Sequence, residues 1–222
     1  MVSTPLIRAE RFAPGRELHL KMEFRSPTGS WHDRVAAIAA GNFAAGAHAA
    51  FWGTISEALA AASACAARGV VLHATIAEED MAPDERASML LWGCAVEFVP
   101  RAQLSARMQT VPFPLLDLTG AAPEASRAIA SEIVAVLGTP PQTLALAAPS
   151  VIGMAVIQAL GCASVFPVAE SWEAALELAR TEGLLAHPLA AAAAVVARSQ
   201  PGLTVAVLHE TGERRLGARG PL

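Results

Sequence analysis

The chain has 222 residues, a mass of 22.9 kDa and a formal net charge of −4, enough for one compact domain or two small lobes. Hydrophobic residues make up 54% and charged residues 16%, which excludes a disordered protein, and the lack of a basic run argues against nucleic-acid binding. The start "MVSTPLIRAERF" lacks a signal-peptide pattern and no stretch has the features of a membrane helix, so we expect a cytoplasmic protein.

Hydrophobic periodicity predicts strands that alternate with helices. The alternation from Leu18 to Phe24 predicts a strand over 16–24, which a loop and then a helix over 32–40 follow. Residues 102–123 are weakly patterned. This alternation is typical of parallel sheets in layered α/β lobes. Further helices are predicted over 54–69, 82–93, 124–138, 151–161, 171–183 and 188–199, and further strands over 70–76, 94–100, 142–148, 163–169 and 203–210.

Cysteine, histidine and lysine usage narrows the possible chemistry. Cys65, Cys94 and Cys162 have no close pairing and the histidines have no ligand spacing, so we predict neither disulfides nor a metal site. Lys21 is the only lysine among 16 basic residues. Because arginine cannot form a Schiff base, any mechanism that needs a lysine imine must use Lys21.

The order of several segments resembles a known enzyme family. "LKMEFRSPTGSWHDR", "SEIVAVLGTPPQTLALAA", "SWEAALELARTEGLLAHPLAAAAAVVA" and the late "TGERRL" are similar, in that order, to the fold-type II pyridoxal-phosphate enzymes. This family includes O-acetylserine sulfhydrylase, threonine synthase and the tryptophan synthase beta subunit. The resemblance implies a shortened, two-lobed α/β fold of three-layer parallel sheets, with a larger lobe over 1–30 and 110–222 and a smaller lobe over 31–109.

The departures from the family pattern concern the cofactor. His32 stands where the family has its Schiff-base lysine, and Thr54 lies in "WGTISEAL", where the family has its Ser-Gly-Asn loop. Pro149 interrupts the expected glycine-rich phosphate loop and removes a backbone donor. Leu189 or Ala190 replaces the serine that meets the pyridine nitrogen. The resemblance therefore implies that pyridoxal phosphate has been lost and that no cofactor is bound.

His32, Ser30 and Glu57 are the candidate catalytic residues. At a helix N-terminus the pKa of His32 is expected to be lowered, because the helix dipole opposes a positive charge, and a neutral imidazole suits a general base. The alternative is a relic that fills the position of the lost lysine. Glu57 is either an acid or base that faces His32 or an ordinary charge at a helix N-terminus.

The candidate substrate-binding residues surround the same loops. Hydroxyl groups and the backbone N–H groups of a Thr-Gly-Ser turn can hold a carboxylate, but the same residue types also serve as ordinary caps and turns. These candidates are Thr28, Gly29, Thr54, Ser56 and Ser150. His187 is interpreted as a helix entry, His209 as a strand end, and Arg214 with Arg215 as a solvated terminus.

Two functions remain open. The leading hypothesis is a pseudoenzyme that binds a partner protein or a small metabolite. The resemblance implies a homodimer, or a heterodimer with an active relative or a pathway enzyme. The alternative is a cofactor-independent lyase, isomerase or cyclase that uses His32 for proton transfer in the former cofactor cleft. We expect no nucleic-acid or membrane partner.

Overall fold

A computed structural model of the chain describes residues 3–80, 82–214 and 216. The chain divides into two compact units. We call residues 32–124 the central unit and residues 3–31 with 125–216 the terminal unit. Arg215, predicted from the sequence to belong to a solvated terminus, lies outside the described residues.

The terminal unit contains a five-stranded sheet in the order β1-β2-β8-β6-β7. β1 pairs antiparallel with β2, and every other pairing in the sheet is parallel. The expected parallel sheet is confirmed, and β1, a three-residue antiparallel strand at the sheet edge, was not predicted from the sequence. The strands are β1 (Leu6–Arg8), β2 (Leu18–Lys21), β6 (Thr143–Ala145), β7 (Ala163–Val165) and β8 (Thr204–Val207).

Helices cover the sheet of the terminal unit. The alanines from Ala190 to Ala194 in α8 are all buried, and α8 packs on β8, β6 and β2. Their small side chains let a helix lie close to a sheet whose own buried residues are mostly Leu, Val and Ala. The helices are α5 (Leu118–Leu137), which contains the boundary between the units, α6 (Val151–Leu160), α7 (Trp172–Glu182) and α8 (Pro188–Arg198).

The central unit contains a parallel three-stranded sheet in the order β3-β4-β5. Helices α2 and α4 both contact β4, the middle strand, and α1 packs on α2. Residues 114–116 extend the edge of β3, because the amide of Ala50 donates to the carbonyl of Pro114 and the carbonyl of Ala50 accepts from the amide of Leu116. The elements are α1 (His32–Ala40), β3 (His48–Trp52), α2 (Ile55–Ala67), β4 (Val71–Ala77), α3 (Pro83–Leu91), β5 (Ala95–Val99) and α4 (Arg101–Met108).

Three local predictions need correction. The strand predicted over 16–24 ends at Lys21, because Glu23–Arg25 form a 3-10 turn that leads into the loop. β3 was not predicted, since "HAAFW" has neither alternation nor a β-branched residue. The weakly patterned stretch 102–123 contains most of α4 and the start of α5, which runs through Pro123 in its second turn.

Candidate functional site

The loop before α1 is a fixed turn of the terminal unit. Gly29 has φ +77°, and a Cβ at this position would lie 2.8 Å from Cγ2 of Thr211, so only glycine fits. Ser30 is fully buried and forms a β-bridge with Glu210. The carbonyl of Thr28 accepts a hydrogen bond from Arg214. The Thr-Gly-Ser turn is therefore packed against residues 210–214.

The side chain of Arg214 corrects one prediction. It is half-buried and forms an ion pair with Glu210, with 3.1 Å between Nη1 and Oε1. Together with the bond to the carbonyl of Thr28, this contact ties the chain after β8 to the loop before α1. Arg214 is thus part of the packed loop region rather than a solvated terminus.

An indole lies against the N-terminal turn of α6. Ser150 caps this helix, since its Oγ accepts a hydrogen bond from the amide of Gly153 at 3.1 Å. A Cβ at Gly153 would lie 2.9 Å from Leu146 and 3.3 Å from Cη2 of Trp31. Trp31 is 5% exposed. The hydroxyl of Ser150 and the Trp31 ring together fill the space beside this helix start.

His209 lies beside Trp31 and His187 lies beside His209, a grouping that was not predicted from the sequence. The ring of His209 lies 5.3 Å from that of Trp31 and 6.1 Å from that of His187, measured between centroids. Nδ1 of His187 accepts a hydrogen bond from the amide of Leu189 at 3.1 Å and so caps α8, which confirms its interpretation as a helix entry. This bond requires an unprotonated Nδ1.

A sequence signal for His209 existed. His209 lies two residues after the end of β8, and its Nε2 lies 3.9 Å from Oε2 of Glu210. Residues that follow the carboxyl ends of parallel strands converge at one edge of the sheet, where α/β proteins bind ligands. That rule, applied to His209, would have selected the residue as a site candidate.

His32 and Glu57 approach each other within the central unit. His32 is the first residue of α1, and its Nδ1 lies 4.0 Å from Oε1 of Glu57. Both side chains keep access to solvent, with 22% and 29% of their surface exposed. The structure thus places Glu57 beside His32, as one of the two alternatives for Glu57 expects.

Glu57 also has a structural role. Its Oε2 accepts hydrogen bonds from the amide and the hydroxyl of Thr54, each at 2.8 Å, and this closes a capping box at the start of α2. Ser56 is buried in the first turn of the same helix. Thr54 therefore caps α2, and Ser56 lies in the first turn of this helix. Oε1 is the oxygen of Glu57 that faces His32.

Residues 2–112, half of the chain, match the sequence profile described as pyridoxal-phosphate dependent enzyme. The chain belongs to this family. No curated protein sequence matches the chain.

Solved structures of this pyridoxal-phosphate family share the fold of the chain. A mutant of O-ureido-L-serine synthase with O-ureido-L-serine bound is 20% identical, with 96% of this chain and 89% of that chain covered and a TM-score of 0.79. Cysteine synthase from Entamoeba histolytica is 14% identical, with coverages of 97% and 87% and a TM-score of 0.82. O-Acetylserine sulfhydrylase isoform 3 from the same organism is also 14% identical, with coverages of 97% and 88% and a TM-score of 0.83. The expected fold-type II architecture is confirmed.

The lysine of this family member lies inside an ion network. Lys21 is fully buried, and its Nζ lies 2.6 Å from the carbonyl of Thr4, 2.5 Å from Oε2 of Glu132 and 3.5 Å from Oε1 of Glu23. The amine is thereby fixed between two carboxylates. Among residues 3–80, 82–214 and 216, no three His, Cys, Asp and Glu side chains are grouped to hold a metal ion, and no helix is long and apolar enough to cross a membrane.

Proposed function

We propose that this member of the pyridoxal-phosphate family works without the cofactor, as a pseudoenzyme that binds a partner protein or a small metabolite. The observation that carries the proposal is the position of Lys21. An internal imine needs an exposed amine that loses its proton, whereas this amine is fully buried between Glu23 and Glu132. At the family's lysine position the chain has His32, whose imidazole forms no imine.

The residues near α6 also fit a phosphorylated cofactor poorly. Phosphate-binding loops use backbone N–H groups at a helix start, approached closely through glycines. Here Pro149 has no N–H group, and the hydroxyl of Ser150 already accepts from the amide of Gly153. The Trp31 ring fills the space beside Gly153. These contacts support the proposal that the chain has lost the phosphate-binding site as well as the lysine that would form the imine.

Pyridoxal phosphate added to the purified protein tests the proposal. We expect no absorbance band of an imine, and no peptide that carries a pyridoxyl group after borohydride reduction. A His32→Lys variant measures in parallel whether an amine at the family position suffices to form an imine. A reduced adduct on Lys21 in the wild-type protein would overturn the proposal.

A pseudoenzyme acts by binding other molecules, so its oligomeric state and its protein partners are part of the proposal. The family resemblance supports a homodimer or a heterodimer with an active relative or a pathway enzyme. Sedimentation of the purified chain separates a dimer from a 22.9 kDa monomer. Co-purification from the host tests the heterodimer, with the His32→Ala variant as a control that removes the imidazole and leaves the rest of the surface intact.

The His32–Glu57 approach favours a second candidate, a cofactor-independent lyase, isomerase or cyclase. Neutral His32 would accept a proton from a substrate carbon or hydroxyl group, and the carboxylate 4.0 Å away would stabilise the imidazolium that forms. Ser30 is fully buried, and its backbone forms a β-bridge with Glu210. Of the candidates that could assist His32, Glu57 is the one whose approach to the imidazole supports this function.

Genetic complementation distinguishes the two functions. A deletion strain is complemented with wild type, His32→Ala or Glu57→Gln, and metabolites and co-purifying proteins are compared. If His32→Ala restores the metabolite profile as wild type does, the protein acts by binding. If only wild type restores it while all forms capture the same partners, His32 is catalytic and the pseudoenzyme proposal is wrong.

A further inference from the structure

We propose that His48 and His73 of the central unit form a two-histidine site for a late divalent transition metal such as Ni²⁺, Cu²⁺ or Zn²⁺. Nδ1 of His48 lies 2.8 Å from Nε2 of His73, so two ring nitrogens face one another across neighbouring strands. Imidazole is a preferred ligand of these metals. The pair is separate from His32, Glu57 and the loops described above.

The strand register explains why the two rings meet. Ala50 of β3 is paired with His73 of β4, and His48 lies two residues before Ala50 on the same face of the sheet. His48 and His73 are therefore diagonal neighbours, a spacing that long side chains can bridge. The position of both ligands is set by regular backbone rather than by a loop, which favours a constant separation between them.

The His48–His73 pair is accessible to solvent, and both of its rings are packed against Phe113. Phe113 stacks on both rings, with its centroid 4.0 Å from that of His73 and 5.1 Å from that of His48. His48 is exposed to solvent, and His73 lines a cavity of about 340 Å³. A metal ion can thus reach the pair from solvent while Phe113 restricts rotation of the rings.

The metal would have two protein ligands. Glu97 lines the same cavity, but its carboxylate is held by Nε of Arg107, 2.8 Å from Oε1 and 2.6 Å from Oε2. No third His, Cys, Asp or Glu is grouped with the pair in the part of the chain that the structure describes. Water or a small exogenous ligand would fill the remaining coordination positions, so the bound ion would be exchangeable.

The hydrogen bond between the two rings is compatible with metal binding. One facing nitrogen carries the proton of this bond and the other accepts the bond. When a metal binds, the donor ring moves this proton to its other nitrogen, so that both facing nitrogens offer lone pairs.

Titration calorimetry with Ni²⁺ on chelator-treated protein tests the site. We expect one Ni²⁺ per chain, with affinity reduced by at least about tenfold in His48→Gln and in His73→Gln, because each variant removes one of the two ligands. His19→Gln, which changes a half-buried histidine of the terminal unit, is the matched control and should bind as wild type does. Ni²⁺ should also raise the melting temperature of wild type, since the ion binds only the folded pair.

His48→Gln is the decisive variant, because His48 is exposed and its replacement leaves the fold intact. Equal Ni²⁺ affinity in wild type and His48→Gln would overturn the proposal. So would the absence of Ni²⁺ binding in wild type, in which case the two rings share only a hydrogen bond.

Discussion

At the scale of single residues, Lys21 shows how a buried charge is maintained. Its ammonium group has no contact with solvent and lies among Glu23, Glu132 and the carbonyl of Thr4. Thr4 in turn donates a hydrogen bond to Glu23 at 2.6 Å. The network joins β2 to the N-terminal segment and to α5, so it has a structural role in the terminal unit.

Replacement of Lys21 by methionine should therefore destabilise the protein strongly. The variant leaves the fully buried Glu23 without its ammonium partner, and breaking a buried pair in this way costs about 3–5 kcal/mol. Urea unfolding measures the loss. The double variant Lys21→Met/Glu23→Gln should recover part of it, because it removes the uncompensated charge. A loss below about 1 kcal/mol in the single variant would contradict the structural role.

The buried thiols of the central unit should make the protein sensitive to alkaline pH. Burial raises the pKa of Cys65 from 9.0 to about 11 and that of Cys94 from 9.0 to about 12. As pH rises above 9, the unfolded chain loses thiol protons that the folded chain keeps, so stability falls. Urea unfolding at a series of alkaline pH values should show this decrease. A Cys65→Ala/Cys94→Ala variant with an unchanged pH slope would contradict it.

Residue chemistry could be predicted from the sequence where it depended on neighbours in the chain. His32, Thr54 and Glu57 are close in sequence or at helix starts, and their local environments could be anticipated. The contact of Trp31 with Gly153 joins positions 122 residues apart (153 − 31), and no local pattern encodes it. The same holds for His187 and His209, which only the folded sheet brings together.

At the scale of secondary structure, capping determined which boundaries could be predicted. α2, α6 and α7 begin directly after Thr54, Ser150 and Ser171, whose hydroxyl groups accept from the first turn. β3 and α4 lack such signals, since β3 is short and rich in alanine and α4 has no side-chain cap. Their positions depend on neighbouring elements rather than on their own sequence.

The capping box of α2 can be tested directly. Thr54→Ala removes the hydroxyl group that bonds Glu57, and we expect a loss of about 1 kcal/mol in unfolding free energy. Thr54→Ser keeps the hydroxyl group and should cost less, so it is the matched control. Chemical denaturation measures both. An equal loss in the two variants would show that the methyl group of Thr54, and not its cap, stabilises the helix.

At the scale of the whole molecule, the order of elements determined the fold. Strands that alternate with helices restrict a chain to few right-handed parallel arrangements, so the sequence alone predicted an α/β protein. The pairing order was not accessible in this way. β2 pairs with β8, nearly two hundred residues away, because the terminal unit is built from both ends of the chain. This pairing depends on the burial of both strands in the folded terminal unit, and the local sequence of neither strand specifies it.

Each unit contains a histidine whose pKa is lowered, and this predicts how the whole chain responds to acid. Burial, then Arg8, lower the pKa of His19 in the terminal unit, while Glu17 opposes the shift. Burial, then His48, lower the pKa of His73 in the central unit. As pH falls below about 6.5, the imidazoles of His19 and His73 bind protons in the unfolded chain before they do so in the folded chain. The free energy of unfolding therefore decreases.

Urea unfolding at about pH 7.5 and about pH 5.5, in the presence of a chelator, measures this effect above the range where most carboxylates titrate. His19→Gln and His73→Gln should each reduce the difference between the two conditions. The double variant should reduce it further, because the residues lie in separate units and do not share partners. A double variant that keeps the full wild-type difference would assign the acid response to other groups, and the imidazoles of His19 and His73 would then have no part in it.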